Sequence, residues 1–324
     1  MLKKSLRGCL FDSWCVFAAV GSVIQTLAEG QPVWGVTSLD NLIYVLRANK
    51  SSEQLEVFDV DSYRLMLKKT VPALGAPYDI VACGHSRCAY ISDALLESVH
   101  KVVLPSTEVT VQDARARSLT DILLMNVSAH KMVFFEAAVT QWPVNDVPAC
   151  LSLTAKHSVL VACREVRKIK EFAADGQLLG EVELPQDVCT PFHTVQLSSG
   201  KFLVCHGEKS DDPLGLHRVC LVDSGGQVVK SYGGRVGSGS RQINMPLHMA
   251  VDGNEFVFVA DTVNGRVILL SPTLTYICDA VSREQLTLPP VRLSVDIKRR
   301  RLYIAVNEYK DSTHTAGQVL VVNV

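Results

Sequence analysis

The sequence predicts an all-β chain built from a repeated unit of about 40 to 45 residues, the size of one four-stranded propeller blade. Three observations carry this. Helix-forming runs of Ala, Glu, Lys and Leu are scarce, while short stretches rich in Val, Ile, Leu, Phe and Tyr recur between polar turns, as in Leu42 to Leu46, Val257 to Ala260 and Val319 to Val322. Proline or aromatic anchors stand at Trp34, Pro77, Pro148, Pro191, Pro246 and Pro290, which implies six units. The 324 residues are 48% hydrophobic and 20% charged, enough apolar material for a large core and inconsistent with disorder.

The N-terminal residues 1–20 are expected to be an extension, and residues 21–324 the propeller. Lys3, Lys4 and Arg7 precede an apolar stretch from Trp14 to Ile24 that has the look of a secretory leader ending near Ala28. Val23 to Leu27 has a competing use. The last unit ends with its third strand at the last residue, so Val23 to Leu27 is expected to supply the missing outer strand and close the ring. A cytoplasmic location is therefore expected, with secretion as the alternative; the sequons at Asn49 and Asn126 matter only in the latter case.

Within the units, second strands align at Tyr44 to Arg47, Tyr90 to Asp93, Leu160 to Cys163, Leu203 to His206, Phe258 to Asp261 and Tyr303 to Val306. Third strands follow at Leu55 to Phe58, Val99 to Val103, Lys168 to Phe172, His217 to Val222, Val267 to Leu270 and Val319 to Val322. An insertion at about 109–138 lengthens the second unit. The cysteines lie mostly inside apolar strands and are expected to be buried, reduced thiols.

The fifth unit is the most regular, with Gly233, Gly234, Gly237, Asn244, Pro246, Ala250 to Asp252, Phe258 to Asp261, Asn264 and Arg266-Val267. It resembles an NHL repeat. By this resemblance the chain is a six-bladed NHL-type β-propeller, similar to the C-terminal propellers of tripartite-motif proteins, although no RING, B-box or coiled-coil segment precedes it here. The resemblance implies a non-enzymatic scaffold for protein partners, with substrate recognition linked to ubiquitin ligases, or single-stranded RNA binding as the alternative.

The loops Arg47 to Gln54, Arg164 to Lys168, His206 to Arg218 and Glu308 to Gly317 would form the partner face. Its expected contact residues are Arg47, Lys50, Arg164, Arg167, Lys168, His206, His217, Arg218, Tyr309 and Lys310. Cations there are interleaved with carboxylates and few aromatics, which favours protein over RNA. The net charge of -1 adds no long-range field for nucleic acid, and no run of 18 apolar residues suggests a membrane span.

Other groups carry less specific signals. His193 and His248 follow Pro191 and Pro246 by two residues and would enter the central channel, where two histidines loosely resemble the zinc site of amidating lyases. A hydrogen-bonded structural role is the favoured reading, and no cofactor is expected, with zinc or calcium as alternatives and a metal-dependent lyase or hydrolase using His193 and His248 as the second alternative function. Asp93 and Asp261 end second strands and are expected to cap turns. Cys83, His85 and Cys88 lack a fourth metal ligand. Gly233 to Gly239 lacks the Gly-Lys-Ser/Thr of a phosphate loop. Lys298 to Arg301 is a dense basic run, expected on the face opposite the partner loops. No nucleophile elbow or Ser, His and Asp set stands out, so no enzyme activity is expected.

Overall fold

A computed structural model describes residues 21–49, 52–104, 139–208, 215–239, 241–310 and 313–324. These contain 24 strands and no helix, arranged as six four-stranded antiparallel sheets in a ring. The fold is a six-bladed β-propeller, as the repeat implied. The expected insertion at 109–138, the extension 1–20 and Lys50 lie outside the described residues.

The inner strands, which run along the central axis, are β2 (Val33–Leu39), β6 (Pro77–Cys83), β10 (Pro148–Leu153), β14 (Pro191–Gln196), β18 (Pro246–Val251) and β22 (Pro290–Asp296). Burial falls from the second strand of each blade to the outer one. The second strands β7 (Cys88–Asp93) and β19 (Val257–Asp261) are buried throughout, while the outer strands β5 (Leu65–Thr70) and β13 (Leu178–Glu183) are mostly exposed.

The core is not one central mass. It is divided into six layers, each made where the face of one blade meets the next. Phe192, Leu203 and Val219 of blade 4 pack on Met249, Val259 and Ile268 of blade 5, and the other blade junctions are built in the same way. Strand alternation explains this: successive side chains point to opposite faces, so each strand feeds two layers and nearly every position is apolar. Cys83, Cys88, Cys150, Cys163, Cys205 and Cys220 are buried thiols in these strands.

The ring closes in the sixth blade, whose order is β22, β23 (Arg301–Lys310), β24 (Thr313–Asn323) and then β1 (Val23–Gly30) from the other end of the chain. Leu27 of β1 pairs with Val319 and is buried against Val33, Val291 and Tyr303. Asn307 adds a second clasp: its Oδ1 accepts from Val33 N at 2.9 Å and its Nδ2 donates to Val33 O at 2.9 Å, joining blade 6 to blade 1. Gly317 is required beside it, since a Cβ there would lie 2.2 Å from Asn307 Oδ1.

All six inner strands share one irregularity that positions the site. The anchor residue pairs with the last column of the second strand (Pro77 with Asp93, Pro191 with His206, Pro246 with Asp261), and the register then breaks before pairing resumes. Proline has no N–H for the ladder, so a bulge at this point is the natural outcome. In blade 1 the residue in this place is Val33, paired with Arg47, rather than Trp34, so the expected anchor there was displaced by one residue. The residues one and two places after the anchors therefore form two superposed rings around the axis.

Candidate functional site

The lower ring, two residues after the anchors, consists of Gly35, Asp79, Cys150, His193, His248 and Arg292. Apart from glycine these are polar or polarisable groups, and all are buried. Gly35 is dictated by packing, because a Cβ would lie 2.8 Å from Ile80 N. The His193 and His248 rings stack at 3.9 Å and 13°. Arg292 donates to Tyr78 O through Nη2 at 2.7 Å and to Val291 O through Nη1 at 2.7 Å, and its Nε lies 3.5 Å from Asp79 Oδ1. Asp79 Oδ2 accepts from Leu151 N at 2.9 Å and lies 3.4 Å from His248 Nε2. Side chains from blades 2, 4, 5 and 6 thus join, with the backbone of blade 3, into a plug across the channel.

Asp79, His193 and His248 bring ligand atoms within 4.8 Å of one another, so a metal has to be considered. The tautomers argue against it. Met249 N donates to His193 Nδ1 at 3.1 Å, and Leu293 N donates to His248 Nδ1 at 3.3 Å. Both neutral rings must then carry their proton on Nε2, where His193 meets Leu151 O at 3.1 Å and His248 meets Asp79. A metal-bound histidine ordinarily donates from its second nitrogen. Here both second nitrogens face donors, and Arg292 already supplies a cation to Asp79, so the residues do not fit a metal. Burial pushes both histidines below their ordinary pKa. Burial alone would raise Asp79, but His248 and Arg292 outweigh it and hold the carboxyl low.

The upper ring is open. Trp34, Tyr78, Phe192, Leu247 and Val291, each one residue after an anchor, line a funnel of about 1090 Å³ at one face of the propeller. Arg164, Glu53, Asn307, Tyr309, His314 and Gln31 contribute its polar walls. Three of their atoms are buried without a hydrogen-bond partner: Arg164 Nε, His314 Nδ1 and Gln31 Oε1. His314 stands edge-on to Trp34 at 5.0 Å, and a hydrogen bond to the Glu308 backbone occupies its other nitrogen. Burial, with Arg292 nearby, lowers its pKa and favours the neutral ring.

Of the expected contact residues, the funnel gathers Arg164 and Tyr309. Three others require correction. Arg47 is only 2% exposed and bonds Glu56 at 2.7 Å, because β3 (Leu42–Asn49) and β4 (Ser52–Asp59) extend past it and place it inside the sheet. His206 is fully buried and accepts from Arg218 Nε at 3.1 Å. His217 is buried between Glu208 O at 3.0 Å and Met245 N at 2.8 Å. Arg218 is also bound to Asp187, and Lys168 pairs with Glu181 and Glu183. Arg167 and Lys310 stand outside the funnel lining.

Asp93 caps turns as expected, accepting from Gly75, Ala76, Leu95 and Leu96. Asp261 accepts from Asn244 N at 2.7 Å, Asn264 Nδ2 at 2.9 Å and Arg266 Nε at 2.8 Å, which ties these residues of the fifth unit into one network. Two residues of the basic run sew blade 6 to blade 1: Arg299 bonds Asn41, Asp61 and Asp296, and Arg301 bonds Val60 O.

A scan of known protein families finds no match, and a search of curated proteins finds none. Solved structures do match. One described as a putative gluconolactonase aligns with a TM-score of 0.56 and 14% identity over 94% of both chains. A streptogramin B lyase gives 0.55 at 9% identity over 94% of this chain and 86% of its own, and the hydrazine synthase of Kuenenia stuttgartiensis gives 0.53 at 11% over 90% and 96%. At such identities the likeness establishes the six-bladed fold and stops short of the NHL type. The expectation of a non-enzymatic scaffold is corrected by these neighbours, which are named as enzymes rather than as scaffolds.

Proposed function

We propose that the protein is an enzyme-type propeller, with NHL-like repeats, that binds a small organic molecule in the central funnel. The observation that carries this is the coincidence, in one concave apolar site, of an aromatic floor and three buried polar atoms without partners. Such a site is the default location for ligand binding. Buried polar atoms are nearly always paired, so unpaired ones at a cavity wall mark where a ligand supplies the missing bonds. The names of the fold neighbours support the enzyme part of the reading.

His314 is the assigned proton acceptor. It is the histidine of the funnel lining, burial keeps it neutral, and its Nδ1 lone pair faces no donor among the described residues. The test is consumption of compounds from a small-molecule extract by the wild type, His314→Gln, and Ala94→Trp, which fills the funnel wall. A compound bound and altered by the wild type, bound but unaltered by His314→Gln, and not bound by Ala94→Trp is the expected result. Binding that survives Ala94→Trp unchanged would remove the funnel from consideration, and a compound bound in the funnel but never altered would make the protein a binder rather than an enzyme.

A further inference from the structure

We infer that Arg164 forms an anion subsite, so that the funnel takes an organic acid: one oxyanion, carboxylate being the best match, on a flat apolar body. This deepens the funnel reading and rests on it. Five other arginines set the contrast. Arg47 has Glu56 at 2.7 Å, Arg218 has Asp187 at 2.8 Å, Arg266 has Asp261 at 2.8 Å, Arg299 has Asp296 at 3.2 Å and Arg292 has Asp79 at 3.5 Å. Each of these five guanidinium groups is matched with a carboxylate.

Arg164, which lines the funnel, differs from these five. No carboxylate of the described residues lies within salt-bridge reach of it, and its Nε is buried without an acceptor. Two aromatic rings hold its head instead, with the guanidinium carbon 5.6 Å from the centre of Phe192 and 5.7 Å from that of Tyr78. Aromatic faces orient a guanidinium without neutralising it. The planar fork keeps its donors for a planar acceptor, and a carboxylate matches that fork two bonds at a time.

The surroundings define the rest of the ligand. Phe192 and Tyr78, which hold Arg164, belong to the same apolar floor as Trp34, Leu247 and Val291, so an anion on Arg164 directs its attached body across that floor. Glu53 is the acidic residue of the funnel lining and comes from blade 1, two blades from Arg164. It opposes a second negative charge on the far side of the ligand. A monoanion with an apolar body satisfies both walls; a dianion satisfies only one.

The test uses 2-naphthoate and its neutral isostere 2-naphthamide, with affinities measured by calorimetry for the wild type, Arg164→Gln, Arg164→Lys and Ala94→Trp. Thermal unfolding first establishes that each variant is folded. The wild type is expected to bind the acid at least about tenfold more tightly than the amide, with the difference shrinking at high salt. Arg164→Gln is expected to erase the preference by weakening the acid alone, Arg164→Lys to retain part of it, and Ala94→Trp to block both probes. Equal binding of acid and amide by the wild type overturns the anion subsite, and so does an acid affinity unchanged in Arg164→Gln. If the amide binds and is blocked by Ala94→Trp while the acid gains nothing, the funnel reading stands and the subsite falls. If neither probe binds the wild type, or Ala94→Trp leaves acid binding intact, an acid site in the funnel is excluded.

Discussion

The plug and the floor of the funnel are built from the same six inner strands, at positions one residue apart, yet the plug and the funnel treat polar groups in opposite ways. In the plug, both nitrogens of His193 and His248 are engaged, and Asp79 faces Arg292, His248 and a backbone N–H. In the funnel, Arg164, His314 and Gln31 have buried atoms with nothing to bond. The lesson is that buried polarity alone does not identify a site. Satisfied networks of this kind hold blades in register, whereas unpaired groups on residues that line a cavity are what the proposed ligand would engage.

The largest effect expected of this contrast comes from breaking the plug. Asp79→Ala leaves Arg292 buried without its carboxylate and should destabilise the protein by about 3–5 kcal/mol in urea unfolding. Arg164→Gln removes a charge that has no carboxylate partner and is held only by aromatic faces, and should change stability by no more than about 1 kcal/mol. Comparable losses for the two would erase the distinction between the regions.

Ring closure gives the next effect. Asn307→Ala strands the N–H and C=O of Val33 and should cost about 2–4 kcal/mol, read from the same titrations. Truncation sharpens the point: removal of residues 1–18 should leave the melting temperature in place, while removal of 1–28 takes most of β1 and should lower it sharply. Equal melting temperatures would contradict the role of β1 as the closing strand.

Much of this architecture was legible because strand periodicity and repeat length are local properties. Anchors, second-strand columns and the closing strand all follow from them, and only the anchor of blade 1 shifted, since Trp34 imitates an anchor beside the true one at Val33. The plug was half legible. His193 and His248 stood out two residues after prolines, but Asp79, Cys150 and Arg292 hold the same spacing after Pro77, Pro148 and Pro290 and went unnoticed. Comparing that column across all units, rather than searching it for histidine, would have found them.

The funnel was harder to see. Trp34, Tyr78 and Phe192 look like ordinary core residues in the sequence, and the bulge that aims them at the axis appears only in the pairing. His314 carries no local signal at all. Arg47 misled in the other direction, since a charge near a loop is read as exposed unless the length of the surrounding hairpin is known.

A further effect of burial is a graded one in pH. Burial lowers the pKa of His193, His206, His217, His248 and His314, and that of His206 falls to about 3. The unfolded chain therefore binds more protons than the folded one below the ordinary histidine value. Stability should be full above pH 6.5 and decline as the pH falls toward the native values, by up to about 1.4 kcal/mol per pH unit for each histidine. His206→Asn should flatten the slope between pH 7 and 5 measured by urea unfolding; an unchanged slope would mean that His206 is not buried neutral.

The most direct test of the central claim is hydrogen exchange, read by mass spectrometry, with and without 2-naphthoate. Occupation of the funnel predicts slowed exchange in the segments holding Gly75 to Tyr78, Arg164 and Pro289 to Val291, which line the funnel from three blades. Slowed exchange confined to outer strands such as β5 or β13, with these segments unchanged, would place the ligand elsewhere and contradict the account.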